Sequence, residues 1–130
     1  MPSGWLGPGR GQTGATLDYV AEAGFKWFGD WVMDDQPVVL TTRTTPILNI
    51  PYTQECNDVA MMLIQHHKAS EFYERAMDQF EQIYKDAKDS ARCMAISVHP
   101  YIMGAPHRAK YFRKIFEKIR KKQDVLFWTG

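Results

Sequence analysis

Amphipathic helical stretches and short apolar runs take turns along this chain, and that alternation restricts its fold more than any other feature. "TGATLDYVAEAG" predicts a helix beginning near Thr13, with Leu17, Val20 and Ala21 on one stripe and Gly24 as its stop. "FKWFGDW" predicts a short strand over 25–30, and "ILNIPY", bounded by Pro46 and Pro51, a second. "DVAMMLIQHH" reads either as a helix start or as a buried segment. "ASEFYERAMDQFEQIYKDAK" carries the strongest helical pattern, with Phe72, Ala76, Phe80, Ile83 and Ala87 on one face, charges opposite, and Ser70 as N-cap. "RCMAISV" predicts a near-continuous apolar strand. "PHRAKYFRKIFEKIRKK" predicts a helix with Pro106 at its first position and Phe112, Ile115, Phe116 and Ile119 inward; "VLFWT" reads as a last strand. Such a rhythm predicts an α/β protein with a parallel sheet. No repeat, low-complexity tract or linker interrupts it, so residues 1–130 read as one domain or part of one.

A 130-residue chain that is 45% hydrophobic can bury a sizeable core. Sixteen basic and fifteen acidic residues leave a formal charge of +1, which gives no overall footprint for nucleic acid or an anionic membrane. The basic residues are uneven: eight fall within 108–122, where a helix would present them as a solvated face. Cys56 and Cys93 form no disulfide framework and no metal-spaced pair; Cys93, inside an apolar run, reads as a small buried hydrophobe. These features point to a reducing, cytoplasmic setting. No run approaches the ~18 apolar residues of a membrane span, and "MPSGWLGPGRGQ" lacks the charged and apolar regions of a signal peptide. Glycine and proline around one tryptophan resemble a loop from the middle of a domain.

In parallel α/β folds, chemistry collects where strands end. Three predicted strands are followed by polar groups: Asp30 after "FKWFG", Asn57 and Asp58 beyond "ILNIPY", and His99 after "RCMAISV". Three at one sheet end suggest a shared pocket. An imidazole titrating near neutrality can protonate a departing amine, although the same ring could simply hydrogen-bond a loop carbonyl. Asp30 could position an arginine or accept from substrate, and Trp31 could supply an apolar wall. His107, on the first turn of its helix, offers an anion or substrate contact, or is an ordinary helix-start histidine. His66 and His67 are adjacent, so on a helix they diverge by about 100° and make no metal motif. Asp34-Asp35 before Pro37 reads as turn chemistry, and Met61 and Met62 as core. No phosphate loop, nucleophile elbow or zinc cluster is present.

"GWLGPG", "TLDYVAEAGFKWFGDWVMDDQP", "IPYTQECND", "DQFEQIY" and "MAISVHPYIMGAPHR…VLFWTG" together resemble the C-terminal half of the polysaccharide deacetylase family, in the subgroup that includes allantoinase-like enzymes. The resemblance implies part of a distorted (β/α) barrel of the glycoside hydrolase/deacetylase type. It implies hydrolysis of non-peptide C–N bonds, typically N-acetyl groups on amino sugars, with a carbohydrate or small amide as substrate; the charge balance, for its part, points to neither nucleic acid nor membrane as partner. His99 matches the family's late histidine, which protonates the leaving amine. Asp30 and Trp31 match its Asp-Trp element, where the Asp orients a catalytic arginine; Asn57 and Asp58 match an element taken to contact substrate. The early Asp-Asp strand, the spaced metal-binding histidines and the arginine precede the point where this chain begins. A divalent metal such as zinc would therefore need ligands on an upstream segment. The expectation is a fragment of a hydrolase, or a truncated product, inactive as an isolated chain. A metal-independent ureide hydrolase is the alternative within this class. Outside it stands a half-domain with a binding role that self-associates as a homo-oligomer.

Overall fold

The computed structural model describes residues 2–129, which adopt a mixed α/β architecture. In chain order the elements are β1 (Gly4–Trp5), α1 (Thr16–Glu22), β2 (Trp27–Phe28), β3 (Val38–Leu40), β4 (Ile47–Asn49), a π-helical segment (Val59–Ile64), α2 (Ala69–Asp86), α3 (Pro100–Met103) and α4 (Pro106–Ile119). They divide into two compact units. The first comprises the residues up to Tyr52 with Asp86–Met94; the second comprises Thr53–Lys85 with the residues from Ala95 onward.

The first unit is built on a sheet of order β1-β2-β4-β3. β1, β2 and β4 run parallel, as the alternation predicts, with α1 as the crossover from β1 to β2. β3 departs from that expectation and pairs antiparallel with β4, Val39 opposite Leu48. Only residues 41–46 join the two, and so short a link allows a hairpin but no parallel crossover. Leu17 and Val20 of α1 bury against Phe28 and Ile47, fringed by Trp5, Phe25, Trp31 and Leu40. The helix stops where the stripe ends, at Gly24 with φ 84°, a left-handed conformation that glycine adopts without strain. Asp34 forms the expected turn, its Oδ1 accepting from the Asp35 amide at 2.7 Å. Asp35 also pairs with Arg92, and its carbonyl accepts from Cys93 N at 2.7 Å.

In the second unit α2 buries Phe72, Ala76 and Phe80. Ile83 is half-buried and Ala87 is exposed beyond the helix, so the apolar face is shorter than its pattern. Ser70 lies within α2 rather than capping it; the side chain of Glu71 instead accepts from the Lys68 amide at the helix entrance. The ambiguous "DVAMMLI" stretch forms the π-helical segment, with Met61 and Met62 buried. α4 buries Ile115 and Ile119, whereas Phe116 is exposed and touches the rings of Phe112 and Phe127.

Two predicted strands are corrected. Among the described residues, 92–98 join a ladder only at Ser97, bridged in parallel to Asn57. Residues 125–129 carry no ladder among the described residues, and Leu126, Phe127 and Trp128 are exposed. An apolar run favours burial, but a strand exists only where a neighbour accepts its backbone bonds. Cys93 is half-buried, and Cys56 is the fully buried thiol, its Sγ held at 2.9 Å from Gln79 Oε1. No described helix is long and apolar enough to cross a membrane.

Candidate functional site

Asp58 and His99, 41 positions apart, meet in the second unit. The parallel bridge brings them there: Ser97 N donates to Cys56 O at 2.9 Å, and Asp58 N donates to Ser97 O at 3.1 Å. Immediately beyond the bridge, Asp58 Oδ2 accepts from the His99 backbone N–H at 2.7 Å, and Oδ1 lies 2.7 Å from His99 Nδ1. An ionised carboxylate can only accept, which assigns a hydrogen to Nδ1. The Asp58 side chain has no exposed surface, whereas that of His99 is 38% exposed. A buried charge needs such pairing. Both oxygens of Asp58 are therefore committed to His99, one fixing its backbone and the other its ring. The sequence expectation for Asp58 is a substrate contact; the structure sets its carboxylate against His99.

Further hydrogen bonds order the chain on either side of Asp58. Asn57 Oδ1 accepts from Val59 N at 2.9 Å and from Ala60 N at 3.4 Å, satisfying donors at the start of the π-helical segment. Its oxygen is thus engaged. Arg75 of α2 donates to Glu55 O and lies 3.2 Å from His67 Nδ1. Guanidinium has no acceptor, so that Nδ1 accepts. His99 itself opens α3, its carbonyl accepting from Ile102 N and Met103 N, with the Tyr101 ring tilted against it at 5.6 Å. Nothing in the sequence periodicity marks Tyr101 as a neighbour of His99 rather than a loop residue; only the α3 turn brings the rings together.

Asp30 and Trp31 lie in the first unit, at the end of β2. Asp30 is buried, and its Oδ1 accepts from the Gly7 amide at 2.7 Å. Oδ2 has no partner among the described residues. A Cβ on Gly7 would stand 2.8 Å from it, so only glycine allows this approach. Trp31 is half-buried, edge-on to Phe28 at 5.6 Å, and its carbonyl accepts from Asn49 Nδ2 at 3.1 Å. His107 is exposed on the first turn of α4. Among the described residues no three His, Cys, Asp or Glu side chains gather to hold a metal ion.

No protein-family model matches the chain, and neither does any curated protein. Solved structures do. The chain superposes on the Puue allantoinase with a TM-score of 0.86 at 26% identity, covering 98% of this chain and 43% of that one. A polysaccharide deacetylase-type protein from Pseudomonas aeruginosa PAO1 gives 0.83 at 26% identity, over 98% and 43%. Another such protein, from Mycobacterium smegmatis, gives 0.83 at 19% identity over 95% and 45%, a likeness of fold alone. The chain therefore spans less than half the length of the structures it matches, consistent with a C-terminal half. Together, the quoted motifs and these superpositions identify the chain as similar, over nearly all its residues, to the polysaccharide deacetylase family and its allantoinase-containing branch.

Proposed function

We propose that this chain carries the later part of a hydrolase site for non-peptide C–N bonds, within a distorted (β/α) barrel. The first reading is N-deacetylation of an amino-sugar polymer or a related amide. The Asp58–His99 pair carries the proposal: a buried carboxylate takes Nδ1, so Nε2 of the half-exposed ring is the nitrogen available to a substrate. Attack of water on an amide carbonyl gives a tetrahedral intermediate whose amine leaves badly until protonated. His99 in its charged form donates the Nε2 hydrogen to that nitrogen. The C–N bond breaks, its electron pair stays on nitrogen, and a neutral ring remains with Nδ1–H on Asp58. Asp58 holds the orientation of the ring throughout. Asp30 is proposed to orient an arginine, Trp31 to wall the pocket, and Asn57 and His107 to contact substrate. The free thiols favour the proposed cytoplasmic setting.

Metal-dependent relatives imply a divalent ion. The described residues of this chain gather no three His, Cys, Asp or Glu side chains that could hold one. A second reading, hydrolysis of a ureide without metal, is favoured by the superposition on an allantoinase. Both are tested on the longest in-frame product that contains this sequence. Acetate release from chitooligosaccharide that chelator abolishes supports the deacetylase. Chelator-resistant allantoin hydrolysis supports the ureide reading. In either case His99→Ala is expected to lower turnover by roughly 10²- to 10⁴-fold. Unchanged turnover in that variant overturns the role of His99, and no hydrolysis of either substrate leaves the binding half-domain.

A further inference from the structure

The short turn that carries His99 also carries a second, more exposed ring, and its backbone is held from several sides. Asp58 Oδ2 accepts from the His99 amide at 2.7 Å, and the His99 carbonyl accepts from Ile102 N at 3.0 Å and Met103 N at 2.9 Å. Ile102 and Met103 are buried, and Pro100 fixes one backbone angle at the first helical position. At the far end Gly104 N donates to Pro100 O at 3.0 Å, and a Cβ on Gly104 would collide with that same oxygen. Arg108 Nη1 closes the turn from α4, donating to the Ile102 carbonyl at 3.3 Å. All of this fixes the backbone beneath Tyr101, whose side chain is 72% exposed and belongs to no core. Its ring centroid lies 5.6 Å from that of His99, with the planes inclined at 60°. A core has no use for a ring placed this way, whereas a ligand at His99 meets it.

We propose that Tyr101 is the binding platform for the part of the substrate that carries the departing nitrogen, and that this part is a ring, a pyranose or a ureide heterocycle, laid against the tyrosine face. The assignment rests on the hydrolase reading, because His99 Nε2 sets which side of the substrate Tyr101 meets. A nitrogen protonated by Nε2 sits about 3 Å from it, and its carbon skeleton begins about 1.5 Å further on. That skeleton is the leaving-group side, within reach of a ring centred 5.6 Å from the imidazole. A cyclic skeleton offers an apolar face to the electron-rich face of tyrosine, and an acyclic amine offers none. Michaelis kinetics of Tyr101→Ala and Tyr101→Phe, in the same longest in-frame product, test this with chitotetraose and allantoin as probes. Tyr101→Ala is expected to raise KM about 10-fold for one probe with kcat within about 2-fold, the mark of binding shared by ground and transition states. Tyr101→Phe is expected to keep the wild-type KM, since the ring and not the hydroxyl makes the contact. The probe whose KM moves identifies the ring. An unchanged KM in Tyr101→Ala overturns the platform and leaves the hydrolase reading in place. A loss confined to kcat, or a Phe variant as impaired as the Ala variant, overturns it equally. If the product hydrolyses neither probe, calorimetric titration with both decides. Binding that Tyr101→Ala weakens about 10-fold supports the platform without the reaction, and no difference between that variant and wild type overturns it.

Discussion

Replacing Asp58 by Asn leaves the shape of the side chain and removes its charge. Two donors, His99 N–H and Nδ1–H, each reach the buried carboxylate at 2.7 Å. An amide offers one oxygen, so one donor keeps an acceptor and the other faces an NH2 group. A hydrogen bond to a charged group is worth about 1.5–3 kcal/mol, and a buried donor left unpaired costs about 1–3 kcal/mol. The imidazole is 38% exposed and can turn towards water, which spares much of the second cost. About 2 kcal/mol is therefore expected. With a urea m-value of about 1–3 kcal/mol/M, the midpoint should fall by roughly 1 M, small enough for the variant to remain folded. Circular dichroism in urea reads that shift, and ¹⁵N chemical shifts of the His99 ring read the tautomer. The wild type should hold hydrogen on Nδ1, and the variant should release that preference. A midpoint within about 0.2 M of wild type, with the tautomer unchanged, would refute the assignment of both oxygens to His99.

Other outcomes follow from burial and backbone geometry. Phe72→Ala removes a ring with no exposed surface and should cost about 3–5 kcal/mol in the same urea titration. Gly24→Ala forces a Cβ into the left-handed region at φ 84°, and a loss of about 1–2 kcal/mol is expected; no loss would mean that the α1 terminus rearranges freely. Burial pushes the Cys56 thiol up to about 11, against a weaker opposing influence of the Arg75 charge. Iodoacetamide at pH 8 should therefore modify half-buried Cys93 first and Cys56 only on unfolding, as peptide mass mapping will show. Because the folded-state value is raised, the contribution of Cys56 to stability is complete below pH 9 and declines as pH rises towards 11. Cys56→Ser should flatten that alkaline decline in a pH series of thermal melts.

Local patterns carried the helices. Leu17, Val20 and Ala21, then Phe72, Ala76 and Phe80, then Ile115 and Ile119 are buried on the stripes that their spacing marks out. A helix closes its hydrogen bonds within four residues, so its existence and its inner face are written in consecutive positions. The same holds for the Gly24 stop and for the Asp34 turn. The motifs around His99 and Asp30 were enough to suggest the family, and the superpositions agree with that resemblance over 98% of the chain.

Position across space was decided elsewhere. "RCMAISV" and "VLFWT" have the composition of strands, yet among the described residues one is reduced to a single bridge and the other is unladdered, because strand formation depends on a distant neighbour's free backbone. Residues 38–40 lacked a strong pattern and became β3 because β4 offered an edge. The sequence alone determined that His99 follows an apolar run and that Asp58 precedes a buried one. Only the tertiary structure decided that Asp58 stands behind His99, with both oxygens spent on it. A carboxylate has no role of its own until the fold determines whether water or a donor faces it, and here the donor comes from 41 residues away.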